Sequence, residues 1–280
     1  MSKISAHVNN IALHHSIFAL PFAYMGAFLA ADGVPKGWDL LWITVAMVGA
    51  RSAALALDNL IDLKYDRVHP RLSKRPMVTG EVKPFEAIVL ILCSLLILFG
   101  AVFQLQPICL KLLPVAVLPF LIYPYMKRLT CLCHLVLGIA LAMAPAGGFV
   151  AIQGFVTLPI IFLCLAVCLW IAGFDVVYGC QDEEFDKAHG LHSMATQFTA
   201  AGALRIAKFM HFCSLLCFIA VGWSFALSAI YYVGVVIALL TLLYQHWIVS
   251  ATDFSRVTQV YFMRNGIVAI AVFLFTFLAL

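Results

Sequence analysis

The sequence predicts an all-α, polytopic membrane protein, with about nine transmembrane helices around a central cavity, as a single domain over residues 1–280. Three observations lead there. The chain is 64% hydrophobic and only 11% charged, with a mean hydropathy of +1.05, a balance outside the range of soluble globular domains. Apolar runs of roughly 20 residues recur along it, and ~20 helical residues cross a hydrocarbon core. Basic residues collect in alternate loops, as the positive-inside rule requires of a multi-span chain.

Taken in order, the first span covers residues 11–31, and Pro21 is expected to kink it. Its length and the absence of a small-residue cleavage site mark it as a retained helix rather than a signal peptide. The second starts near Trp38, an interface aromatic, and runs into an acidic stretch. The third and fourth cover residues 85–103 and 108–125, the fourth with Pro114 and Pro119 inside. The fifth covers residues 132–151. The sixth covers residues 156–178 and ends in a second acidic stretch, followed by a polar loop over residues 186–199. Residues 209–250 form an apolar tract about twice the length of one span, divided here near Ser224 to Ser228. The ninth covers residues 257–280.

The loops after the second, fourth, sixth and eighth spans hold Lys64, Arg67, Arg71, Lys74, Arg75, Lys83, Lys127, Arg128, Lys187, Arg205, Lys208, Arg256 and Arg264. Of the alternate loops only the first carries a basic residue, Lys36. The rule places the basic loops, both acidic stretches and the N-terminus in the cytoplasm of a bacterial-type inner membrane. This topology accounts for the net charge of +4, so nucleic acid is not implied. Most of the nine cysteines lie inside apolar runs as small buried hydrophobes. Cys131, Cys133 and His134 lie close together, but no second ligand pair follows at zinc spacing. His14, His15, His134, His211 and His246 read as interface or core histidines.

The informative residues are acidic. Eight of the 13 acids fall in two short windows, DNLIDLKYD from Asp58 and DVVYGCQDEEFD from Asp175. On a helix Asp58, Asp62 and Asp66 share one face, and Asp175, Asp182 and Asp186 do the same. One acid at a helix end is ordinarily a solvated terminus. Two matched ladders, on the same membrane side by the count of spans, point to a shared site. Like charges so arranged repel unless cations bind between them. Removing one carboxylate from the metal-free cluster is therefore expected to leave the melting temperature no lower. Hard oxygen ligands suit Mg²⁺, which usually takes one or two carboxylates plus substrate phosphates. A diphosphate is the natural bridging ligand, and nearby Arg and Lys would complete its neutralisation. Arg51 lies seven residues before Asp58, inside a span, where an arginine is a functional candidate.

At these windows the sequence resembles the UbiA superfamily of intramembrane prenyltransferases. The family pattern N-D-x-x-D-x-x-x-D corresponds to Asp58, Asn59, Asp62 and Asp66, with the first two residues inverted. The second motif corresponds to Asp182 and Asp186, with Asp175 upstream. The likeness extends to Arg75-Pro76, to Tyr123 with Lys127-Arg128, and to Asn265. The runs HSIFALPFAY and YGCQDEEFDKAHGLHS look most like the 4-hydroxybenzoate polyprenyltransferase branch and its relatives that prenylate 1,4-dihydroxy-6-naphthoate for menaquinone. The resemblance implies a Mg²⁺-dependent transfer from a polyprenyl diphosphate to an aromatic acid in quinone biosynthesis, within the lipid bilayer. It assigns Asp58, Asn59, Asp62, Asp66, Asp182 and Asp186 to metal. Arg51, Arg75, Lys127 and Tyr178 fall to substrate binding, and Asp175 and Arg51 to catalysis. The rival class is an ion-coupled secondary transporter, but transporter acids lie near the midplane in repeat-related positions. Here they sit at span ends followed by basic loops.

Overall fold

Apolar segments that cannot hand their amide and carbonyl groups to water must satisfy them internally, and this chain does so with helices. The computed structural model describes residues 3–11, 19–257 and 262–280, and among them there is no β-strand. The long helices are α2 (Leu20–Ala31), α3 (Gly37–Ile61), α6 (Pro84–Phe103), α7 (Pro107–Met126), α8 (Cys133–Gln153), α9 (Leu158–Gly179), α11 (Met194–Ser224), α12 (Ile230–Ile248) and α13 (Phe262–Ala279). Short helices join them: α1 (Lys3–Asn10), α4 (Leu63–Asp66), α5 (Pro76–Thr79) and α10 (Glu183–Ala188), with 3₁₀ turns at Pro70–Leu72 and Cys180–Asp182. Among the described residues seven helices are long and apolar enough to cross a membrane, and α2 and the apolar part of α13 are shorter. Together they stand where the sequence places its nine spans.

The boundaries differ in two places. Pro21 does not kink α2 but sits in its first turn, where a missing N–H costs nothing. Residues 12–18, including His14 and His15, lie outside the described residues. The loop expected over residues 186–199 is shorter, because Ser193 and Thr196 cap each other reciprocally and start α11 at Met194. Thr199 then interrupts α11 with φ 64, and the amide that follows, on Ala200, donates to the Glu183 carboxylate at 3.0 Å.

Helices α8, α9, α11, α12, α13 and α2 pack in a closed ring, each against the next and α2 back onto α8. Phe22, Met25, Phe149, Trp170, Phe218, Tyr231 and Val268 fill it. The α2–α8 contact is close because two glycines face each other's backbone. A Cβ on Gly26 would collide with the Pro145 carbonyl, and one on Gly148 with that of Ala23. α3 pairs with α6 and leans on α2, α7 and α8 from outside the ring. The ends of α3, α7, α8 and α9 thus meet at one end of the bundle, and both acidic windows are there.

Candidate active site

The first acid ladder survives a break in its helix. α3 stops at Ile61, and Asp62 takes φ −87 and ψ 0 before the single turn of α4. The i→i+4 bonds continue across the break, from Asp62 N to Asp58 O and from Asp66 N to Asp62 O, both 2.9 Å. Asp58, Asp62 and Asp66 therefore still point into one cavity. The second ladder is broken more sharply. α9 ends at Gly179, and a 3₁₀ turn carries Asp182 before α10 carries Asp186. Asp175, Asp182 and Asp186 line the same cavity, of about 150 Å³. Arg75, Lys127 and Tyr178 line it too, as the sequence leads one to expect.

Two nominated residues are placed elsewhere. Asn59 faces α1 and donates from Nδ2 to the Asn10 carbonyl at 2.6 Å, and it does not line the cavity. A helix turns 100° per residue, so the neighbour of a cavity-facing Asp58 faces away. This corrects the expectation that Asn59 joins the metal set. Arg51 lies two turns, about 10 Å, deeper along α3. It is not among the lining residues, and among the described residues its buried Nε has no hydrogen-bond partner. Asn265 is buried within the ring and accepts from Trp170 Nε1 at 3.1 Å.

The carboxylates do not stand against one another as bare charges. Arg75 Nη1 donates to Asp66 Oδ2 at 2.6 Å, and Arg71 Nη2 to Asp182 Oδ2 at 2.5 Å. Arg128 Nη2 donates to Asp62 Oδ1 at 3.1 Å and to the Ile61 carbonyl at 2.9 Å. Lys127 Nζ stands 3.8 Å from Asp186 Oδ2, and His69 Nε2 3.2 Å from Asp182 Oδ1. Arg71 also lies over the Tyr178 ring at 4.8 Å. Burial pushes the Asp62 carboxyl above the ordinary range, opposed by the Arg128 hydrogen bond and reinforced by Asp66. Burial would lower the Arg75 guanidinium, but Asp66, Asp58 and Asp62 outweigh it and hold it above its usual value. Burial also lowers the His69 imidazole although Asp182 pulls the other way. Its Nδ1 accepts from Arg71 N at 3.2 Å, which leaves the proton on Nε2, toward Asp182.

Sequence reasoning passed over His69, Arg71, Arg128 and His134 as site residues. All four line the cavity. His134, read as a core histidine, is buried but hydrogen-bonds Asp175 Oδ2 through Nδ1 at 2.7 Å. The available signal was the density of basic and imidazole side chains in the loops after the two motifs, but no helical spacing fixes which of them turn inward.

The donor set fits a hard divalent cation. Asp182 Oδ1 and Asp186 Oδ2 are buried and face His69 Nε2 at 3.2 Å and Lys127 Nζ at 3.8 Å, but among the described residues neither accepts a well-formed hydrogen bond, so each keeps lone pairs for a ligand. Among the described residues no three acids, imidazoles or thiols form a ready cage.

Residues 19–267 match the UbiA prenyltransferase family. The 4-hydroxybenzoate octaprenyltransferase of Tolumonas auensis is 30% identical over 246 residues, covering 88% of this chain and 85% of its own length. That of Xylella fastidiosa is 31% identical, covering 88% and 82%. The apo structure of a UbiA homologue from Aeropyrum pernix K1 aligns with a TM-score of 0.85 at 35% identity, over 93% of this chain and 96% of that one. A UbiA homologue from Archaeoglobus fulgidus bound to DMAPP and Mg²⁺ shares the fold, with a TM-score of 0.75 at 18% identity over 98% of each chain.

Proposed function

The chain belongs to the UbiA prenyltransferase family, and from that premise we propose that it transfers a polyprenyl group from a polyprenyl diphosphate to 4-hydroxybenzoate in quinone biosynthesis. Membership in a family of enzymes removes the transporter reading. The observation that carries the proposal is the convergence of both acid ladders and four Arg and Lys side chains on one cavity.

In this reading Asp62, Asp66, Asp182 and Asp186, with Asp58 beside them, would hold Mg²⁺, which when bound would supply Lewis acidity that makes diphosphate a better leaving group. Arg71, Arg75, Lys127 and Arg128 turn from the carboxylates to the diphosphate oxygens, exchanging one set of charge-assisted hydrogen bonds for another. The allylic C–O bond breaks and its electron pair leaves with the diphosphate. A ring carbon of the acceptor, ortho to its hydroxyl, forms the new C–C bond, and the ring proton is lost. Asp175 accepts the hydroxyl proton and so raises the electron density of the ring. The acceptor's carboxylate extends below the lined cavity toward Arg51, two turns deeper along α3, whose buried Nε it would satisfy. Water must be kept from the allylic cation, and Leu72, Tyr123, Pro124, Phe185 and Leu191 supply the apolar part of the wall. The motif end faces the cytoplasm, where both substrates have their polar groups.

The test is product formation by purified protein in detergent with Mg²⁺ and a polyprenyl diphosphate, read by mass spectrometry. Prenylated 4-hydroxybenzoate is the expected product. Prenylation of 1,4-dihydroxy-6-naphthoate alone would replace the acceptor, and no product from either would overturn the reading. Chelation of Mg²⁺ is expected to abolish turnover.

A further inference from the structure

The imidazole of His134 is tied at both nitrogens. Its Nε2 faces the backbone amide of Met194, the first residue of α11, at 3.4 Å. A backbone N–H only donates, so Nε2 is the unprotonated nitrogen and the proton sits on Nδ1. Nδ1–H then donates to Asp175 Oδ2 at 2.7 Å. Helix N-terminal amides lack intrahelical partners, so the Met194 N–H is a donor in need of an acceptor. Its direction is set by the Ser193–Thr196 cap. The preceding loop is fixed on two sides, by His192 N to the Lys127 carbonyl at 2.6 Å and by Leu191 N to the Asp186 carbonyl at 2.8 Å. The ring lies against Gly179, where a Cβ would stand 3.0 Å from His134 Cε1. Glycine leaves a flat seat for it.

We propose that His134 is a positioning residue for the acceptor's base. Held in its Nδ1–H form by the Met194 amide, it takes Asp175 Oδ2 and leaves Oδ1 turned to the cavity to accept the proton of an aromatic hydroxyl. The inference rests on the role given to Asp175 above. It assigns a function to a histidine that lies outside both acid motifs. The proton account is closed. The hydroxyl proton passes to Asp175, the ring proton is lost after C–C bond formation and leaves with the diphosphate, and Asp175 returns its proton to the phenolate oxygen of the rearomatised product. His134 keeps its own proton throughout.

The test compares kcat and KM for His134→Leu, His134→Gln, Asp175→Asn and the double variant His134→Leu/Asp175→Asn. Leucine removes the donor, and kcat is expected to fall about 10- to 100-fold, a part of what a general base contributes. The KM for the prenyl diphosphate and the rise in melting temperature with donor and Mg²⁺ should stay unchanged. Glutamine offers both an amide donor and a carbonyl acceptor, so its kcat should stay within about threefold of wild type. The double variant should be no slower than Asp175→Asn, because residues that act as one unit lose the same function once. His134→Leu at the wild-type rate, losses that multiply in the double variant, or a lost donor response would each overturn the positioning role. A fully active Asp175→Asn would instead overturn the base assigned to Asp175, and wild type without product would overturn the reaction. Should His134→Leu fail to fold, ¹⁵N spectra of histidine-labelled wild type and Asp175→Asn decide. The Nδ1–H tautomer should appear in the first and be perturbed in the second, and an Nε2–H tautomer in wild type would overturn the proposal.

Discussion

The two acid ladders look alike in sequence and are held in different ways. The first ends α3, which leans on the ring from outside and has 28% of its apolar stretch buried. The second continues α9, which lies between α8 and α11 with 61% buried. In the first ladder Asp62 keeps 28% of its side chain exposed and Asp66 6%; in the second, Asp175, Asp182 and Asp186 keep 18%, 10% and 3%. The cations cross between the two. Arg71 and His69 leave the first window and hold Asp182 of the second, while α7 ends in Lys127 for Asp186 and Arg128 for Asp62. The second ladder is thus a buried anchor onto which the segment after the first ladder is drawn. Under the proposed function, substrate binding to this site would be an exchange of partners, not the filling of a bare negative pocket.

The largest effect expected from this arrangement is on catalysis. Asp62→Asn and Asp182→Asn should each lower kcat/KM by roughly 10²–10³-fold, the scale of removing one electrostatic element from an active site. The double variant should be close to the worse single. Steady-state kinetics with the prenyl diphosphate check this, and losses that multiply would separate the ladders into independent sites.

An intermediate effect concerns stability without metal, and here the structure reverses an expectation. The carboxylate cluster suggests that deleting one acid relieves repulsion. Asp182, however, is held by Arg71 and His69, and removing it strands their donors. Asp182→Ala should cost about 1–3 kcal/mol, the penalty of leaving hydrogen-bonding groups unmatched. Asp62→Ala, whose pair with Arg128 is about a third exposed, should cost within about 1 kcal/mol. Thermal melts in chelator rank the two, and an Asp182→Ala protein as stable as wild type would restore the repulsion view.

The smallest effect distinguishes adjacent residues. Asp58 lines the cavity and Asn59 binds the Asn10 carbonyl of α1. Asp58→Asn should reduce turnover measurably. Asn59→Ser should leave it within about threefold and lower stability by about 1 kcal/mol, one net hydrogen bond. Equal losses of activity from both would bring Asn59 back into the site.

Much of this protein was legible without coordinates. Span number and order follow from apolar length, and the two windows stand out because acids are rare elsewhere in the chain. The i→i+4 ladders follow from helical geometry, which survives even the break at Asp62. All of these are local properties, set by neighbours along the chain. The partners of the carboxylates are not local. Arg71 meets Asp182 across 111 positions, Arg128 meets Asp62 across 66, and His134 meets Asp175 across 41. Pairs so far apart are made by helix packing and by loops with no periodicity to read. Whether His134 is a core histidine or the partner of an active-site acid depends on the angle at which α8 crosses α9 and on the first amide of α11. Folding alone sets those positions, because the ring of helices fixes them through contacts that no stretch of sequence contains.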